Sequence, residues 1–154
     1  MFKLKNIFIS TVLFLFTISL SGCGDDDPVA PQEEHFEAIG MVFYTSGIQI
    51  AKILRGETND TLAAQVGVVG DHIEIKFYDE EENIVDPPES EGQTLSWEIG
   101  DESFLEVDQD EGEEGSFEFH LEGISAGNTV IEFFIMHEGH PDFRSGKIPV
   151  RVLE

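Results

Sequence analysis

The sequence predicts an all-β fold, an antiparallel β-sandwich, on three observations. Apolar and polar residues alternate with a period of two over short runs, most clearly where Ile73, Ile75 and Phe77 alternate with Glu74, Lys76 and Tyr78. Turn-forming clusters interrupt these runs about every 8–12 residues, the spacing of sandwich strands. No stretch of the domain reads as a long helix, so packing falls to sheets.

The domain is expected to start near Phe36 and to run to Glu154. Ala38–Tyr44 (AIGMVFY) and Ile48–Leu54 (IQIAKIL) flank Thr45-Ser46-Gly47. In the second run Ile48, Ile50, Lys52 and Leu54 form the set expected to face the core, although a short amphipathic helix over 38–54 fits as well. Thr61–Val69 is a further strand candidate, followed by Ile73–Tyr78 and a short return at Ile84-Val85 after the turn DEEEN. Leu95, Trp97 and Ile99 alternate around the single tryptophan, which is expected in the core, with ligand stacking as its other use. Ser103–Val107 makes one more brief strand before the acidic turn DQDEGEEG.

The C-terminal part reads as three successive strands, Ser116–Leu121, Thr129–Met136 and Ile148–Leu153. Phe117 and Phe119 belong to the apolar set of the first, and Ile131 and Phe133 to the second, which is apolar on both faces as a central strand would be. Gly123–Thr129 followed by Ile131, with the closing Ile148-Pro149-Val150-Arg151-Val152, resembles the end of bacterial immunoglobulin-like domains of surface proteins. That resemblance implies an immunoglobulin-like sandwich. The segment His137–Lys147 departs from it, standing as an insertion where the family has a short hairpin.

Residues 1–22 read as a targeting segment, 23–35 as an acidic tether and 36–154 as the β-sandwich domain. Lys3 and Lys5 precede an apolar run, Ile7–Leu20, that is shorter than the roughly 20 residues of a membrane span. Leu20-Ser21-Gly22-Cys23 then resembles the bacterial lipoprotein signal, the lipobox, in all four positions. The resemblance implies cleavage before Cys23, attachment of diacylglycerol to its sulfur, palmitate-type acylation, and a lipid anchor in the outer membrane. The acidic tract GDDDP resembles the surface-export signal of lipoproteins of the Bacteroidetes group, so both the periplasmic and the outer face of that membrane stay open.

Cys23 is the only cysteine, which excludes an intrachain disulfide and a cysteine nucleophile in the domain. Of the charged residues, 8 are Lys or Arg against 32 Asp or Glu, a formal net charge of −24 that becomes more negative once Lys3 and Lys5 are removed. Nucleic acid is therefore excluded as a partner, because phosphates need a positive patch. Cations are attracted instead, and the acidic surface also serves solubility.

His137, His140 and Asp142 put two imidazoles and a carboxylate within one short stretch, donors that zinc or copper would accept, though not in the H-E-x-x-H zinc-protease spacing. The plainer alternative is that these histidines bond loop backbone and pack beside Phe143. If Leu121 opposes Thr129 in a hairpin, His120 lies roughly 23 Å from His137 at 3.3 Å per residue. The same register brings Glu113 beside His137 as a further ligand. Asp108, Asp110 and Glu114 offer calcium oxygens but not an EF-hand pattern. His35 and His72 are isolated in the chain and receive no role. No phosphate-binding glycine loop is present, and the reading is non-enzymatic. The expected function is a lipid-anchored envelope binding or structural module, with an envelope protein or a glycan as partner and no required cofactor. The alternative is a small lipoprotein that binds a divalent metal at 137–142.

Overall fold

The computed structural model describes residues 36–89 and 92–154, so the signal segment, the tether and Cys23 lie outside the described residues. Ten strands follow in order: β1 (Gly40–Thr45), β2 (Ile48–Leu54), β3 (Leu62–Gln65), β4 (Ile73–Tyr78), β5 (Ile84–Val85), β6 (Gln93–Ile99), β7 (Leu105–Asp108), β8 (Glu118–Gly123), β9 (Gly127–His137) and β10 (His140–Leu153). One sheet has the order β2-β1-β4-β8-β7, with β5 also on β4; the other has the order β3-β10-β9-β6. The fold is all-β.

The alternation read from the sequence becomes burial directly in β4. Ile73, Ile75 and Phe77 are buried, while Glu74, Lys76 and Tyr78 stay partly exposed. In the same core, Phe119, Ile131 and Phe133 are all 0% exposed, and Trp97 and Phe117 are partly buried against it. Phe133 is central: its ring lies 5.0 Å from that of Phe119 and 5.5 Å from that of Phe43, which brings both sheets into one aromatic cluster. Burying each such ring contributes about 1.5–3 kcal/mol. Trp97 points to the same side as Phe133, its cross-strand partner, but β6 is the last strand of its sheet and leaves the indole half open.

Several expectations are corrected. Residues 48–54 are a strand, not a helix, and the buried members are Ala51 and Ile53 rather than Ile48, Ile50, Lys52 and Leu54. Ala51 pairs with Phe43 and Ile53 with Met41, and a register shift between Phe43 and Tyr44 separates them from the tip of the hairpin. That tip is Ser46-Gly47, both at positive φ, the tight turn that matches strand twist. Ile48 and Ile50 therefore project outward from an edge strand, 69% and 42% exposed.

The sheets are not purely antiparallel, because β3 runs parallel to β10, with Val150 opposite Leu62. Nor do β8 and β9 form a hairpin. β8 pairs with β4 and β7, and β9 with β6 and β10, so the connection between β8 and β9 crosses from one sheet to the other. The crossing is tight at Gly123, where an added Cβ would lie 2.5 Å from Val152 Cγ1 and 2.8 Å from the Gln65 backbone. Finally, 137–147 is no insertion. Its residues continue into β10, and the hairpin with β9 is closed by Glu138-Gly139, both at positive φ.

Candidate functional site

The tip of the β9–β10 hairpin gathers the densest set of polar side chains read from the sequence. His137 ends β9 and His140 begins β10, directly opposite each other in the ladder, with imidazole centroids 6.1 Å apart. Between Pro141 and Phe143 the register of β10 shifts, which leaves Asp142 as the extra residue of a bulge. Its side chain is fully buried. Asp142 Oδ2 lies 3.4 Å from His137 Nδ1, and Oδ1 lies 3.3 Å from His140 Nε2. Gln93, opposite His137 on β6, donates through Nε2 to Asp142 Oδ2 at 3.0 Å.

A carboxylate this deeply buried needs partners, and here an amide N–H and two imidazoles supply them. The donor atoms of His137, His140 and Asp142 all lie within 4.8 Å of one another and could coordinate a metal. The chemistry available is that of an N,N,O site for a zinc-class cation, or of a buried carboxylate bridging two imidazoles.

Glu113 does not join this group. Its carboxylate clusters with His72 and Glu118, because the hairpin register that placed it beside His137 does not exist once β8 and β9 lie in different sheets. The acidic turn after β7 is instead wrapped around an amide. Gln109 Nε2 donates to the carbonyls of Ser116 and Glu118, both at 2.9 Å, and Gln109 Oε1 accepts the Gly115 N–H at 2.8 Å.

Trp97 marks a second feature. With Ile99, Leu105, Val107 and Ile124 it lines a groove of about 340 Å³ between β6 and β7, the end strands of the two sheets, with Glu102 and Glu106 at its polar rim. Ile124 is 49% exposed beside it. The turn that carries Glu102 is internally hydrogen-bonded. Asp101 accepts from the Ser103 hydroxyl at 2.6 Å and from the Ser103 N–H at 3.0 Å, and these bonds hold its carboxyl below the usual range. The backbone N–H of Asp101 in turn donates to Thr129 Oγ1 at 3.0 Å. A larger depression, about 680 Å³, lies along Lys52, Thr58, Asp60 and Lys147, and no described histidine lines it. The alternation around Trp97 was readable in the sequence, but not that its strand would stand at a sheet edge.

No family model matches the chain, and no curated protein matches it. Among solved structures it is similar to domains 4 and 5 of the S-layer protein SbsC, at 15% identity and a TM-score of 0.41. The alignment covers 62% of this chain and 49% of that one, so this chain spans about half the length of its structural neighbour.

Proposed function

We propose that the protein is a lipid-anchored module of the bacterial cell envelope, an immunoglobulin-like β-sandwich that binds an envelope glycan or protein without catalysis. The observation that carries this reading is the Trp97 groove. A half-buried indole beside the exposed Ile124, in a concave strip between two sheet edges, gives an aromatic face with acceptor carboxylates at its rim. Such a face suits the apolar side of a sugar ring or an apolar anchor of a partner protein. The lipobox resemblance at Leu20–Cys23 supports the anchor, and the acidic composition supports a location apart from nucleic acid. Gly123-Ile124-Ser125-Ala126-Gly127 has the letters of G-x-S-x-G, but it joins strand β8 to strand β9 rather than a strand to a helix, and the Ser125 hydroxyl donates to the Ser103 carbonyl at 2.7 Å, which supports the non-catalytic part.

Trp97 is the only tryptophan, so its fluorescence reports on the groove directly. Titration of the full chain with solubilised envelope polysaccharide, and separately with envelope protein, is expected to give a saturable change with one of them. Ile124→Asp should weaken it about tenfold or more, as loss of an interface anchor does. Absence of saturable binding to either preparation, or binding unchanged in both Ile124→Asp and Trp97→Ala, would contradict the reading.

A second reading, a divalent-metal site at 137–142, is favoured by one specific observation. The buried Asp142 carboxylate stands between His137 and His140 with a distinct oxygen toward each. Calorimetric titration with zinc and copper(II), repeated on His137→Ala/His140→Ala, tests it: stoichiometric binding lost in that variant supports it, and binding unaffected by it contradicts it.

A further inference from the structure

A different pair of histidines meets on the outer face of the first sheet. β4 and β8 pair with Ile73 opposite Phe119 and Glu74 opposite Glu118, so His72 falls opposite His120. Ile73 and Phe119 point into the core, which sends both imidazoles outward. Their rings lie 5.0 Å apart and are inclined by 34°. His72 Nε2 is 3.1 Å from Glu118 Oε2, and His120 Nε2 is 3.7 Å from Asp110 Oδ1. Donor atoms of His72, His120 and Asp110 lie within 4.8 Å of one another, as do those of His72, Glu113 and Glu118.

Two details distinguish this cluster from a charged surface. His120 Nδ1 lies 3.0 Å from the carbonyl oxygen of Gly70. A carbonyl only accepts, so Nδ1 carries the hydrogen, and in the neutral ring the Nε2 lone pair faces Asp110. Fixing one ring nitrogen on a backbone carbonyl is the way a metal-binding histidine is oriented. A lone pair aimed at a carboxylate is repulsive unless a proton or a metal cation lies between them. Second, the turn that carries Asp110 and Glu113 is held in place by the three hydrogen bonds of Gln109.

We infer that His72, His120 and Asp110 form a divalent-metal site of the zinc class, with Glu118 and Glu113 as neighbouring carboxylates beside His72. Two imidazole nitrogens favour zinc or copper(II) over calcium, which takes oxygen ligands. Tetrahedral zinc holds N and O ligands about 2.0–2.2 Å away and therefore about 3.3 Å from each other. Closure from separations of no more than 4.8 Å asks the ligand atoms to approach by up to about 1.5 Å. His120, whose side chain is 15% exposed, is the fixed ligand, and Asp110, at 68%, is the one free to move. The metal would tie β4, β8 and the acidic turn together. The inference stands apart from the Trp97 groove and from the hairpin site, sharing no residue with either.

The test titrates the full chain, purified in detergent, with zinc chloride, by calorimetry and by nitrogen NMR of the imidazoles. One equivalent is expected to bind with a Kd on the order of micromolar or below, shifting the Nε2 resonances of His72 and His120. His72→Ala and His120→Ala should each weaken that equivalent at least about tenfold, and His137→Ala/His140→Ala should leave it in place. No stoichiometric binding, or zinc binding abolished by His137→Ala/His140→Ala, would overturn the inference. Should an alanine variant fail to fold, the NMR of the unsubstituted chain decides: unmoved Nε2 resonances of His72 and His120 at one equivalent of zinc also overturn it.

Discussion

The hydroxyl of Ser145 stands in for a strand partner of Phe133: its Oγ accepts the Phe133 backbone N–H at 2.9 Å and donates to the Gly146 carbonyl at 2.7 Å. The register between β9 and β10 shifts between Arg144 and Lys147, so the ladder has no backbone acceptor to offer Phe133 there. Ser145 is 1% exposed, and Phe133 sits at the centre of the core. A buried N–H left unsatisfied costs about 1–3 kcal/mol. Ser145→Ala is therefore expected to lower unfolding stability by about that amount, read as a lower urea midpoint with an unchanged slope. An unchanged midpoint would mean that the hydroxyl is dispensable to the ladder.

Gly123 is the point where the chain leaves one sheet for the other. A methyl group there would meet the Gln65 backbone as well as Val152, and backbone cannot step aside as a side-chain end can. Gly123→Ala is expected to destabilise by about 1–3 kcal/mol, the usual range for overpacking. A chemical denaturation midpoint equal to that of the unsubstituted chain would show that the two sheets can part locally at no cost.

Half-buried strands were legible because water on one face forces alternation. Ile73, Ile75 and Phe77 could face only one way, and Phe119 with Leu121 likewise. The facing of β2 was not legible, since Ile48 and Ile50 are apolar yet lie outward, and the small Ala51 fills the inward place. Sheet assignment was the larger loss. A glycine-bearing connection between two apolar strands serves a hairpin or a crossing between sheets equally well, and only long-range pairing decides. That one choice moved Glu113 from the hairpin site to His72, and it hid the meeting of His72 with His120. The hairpin triad of His137, His140 and Asp142 was legible because its members are close in sequence. The bulge that buries Asp142 was not.

The turn between β4 and β5 gives a pH dependence with a definite sign. The Asn83 side-chain amide and then the Asn83 backbone N–H donate to Asp79, at 3.0 Å to Oδ2 and 2.8 Å to Oδ1, and hold its carboxyl below its ordinary value of 3.8. The folded state thus favours the ionised form. The stabilisation is present in full above the unfolded value and is lost as the pH falls through the lower folded value. Asp79→Asn should remove this contribution, so the gap in melting temperature between the two proteins is expected to narrow as the pH drops below about 4. A gap independent of pH across that range would show that the bonds from Asn83 do not depend on the charge.

The proposed lipid anchor of the module is tested at Cys23. Intact-mass measurement of the mature protein, together with membrane fractionation, should show a chain that starts at an acylated Cys23 and sediments with the membrane. Cys23→Ala should leave the product either unprocessed or released from the membrane fraction. A Cys23→Ala protein still cleaved at the same place and still membrane-bound would contradict the account.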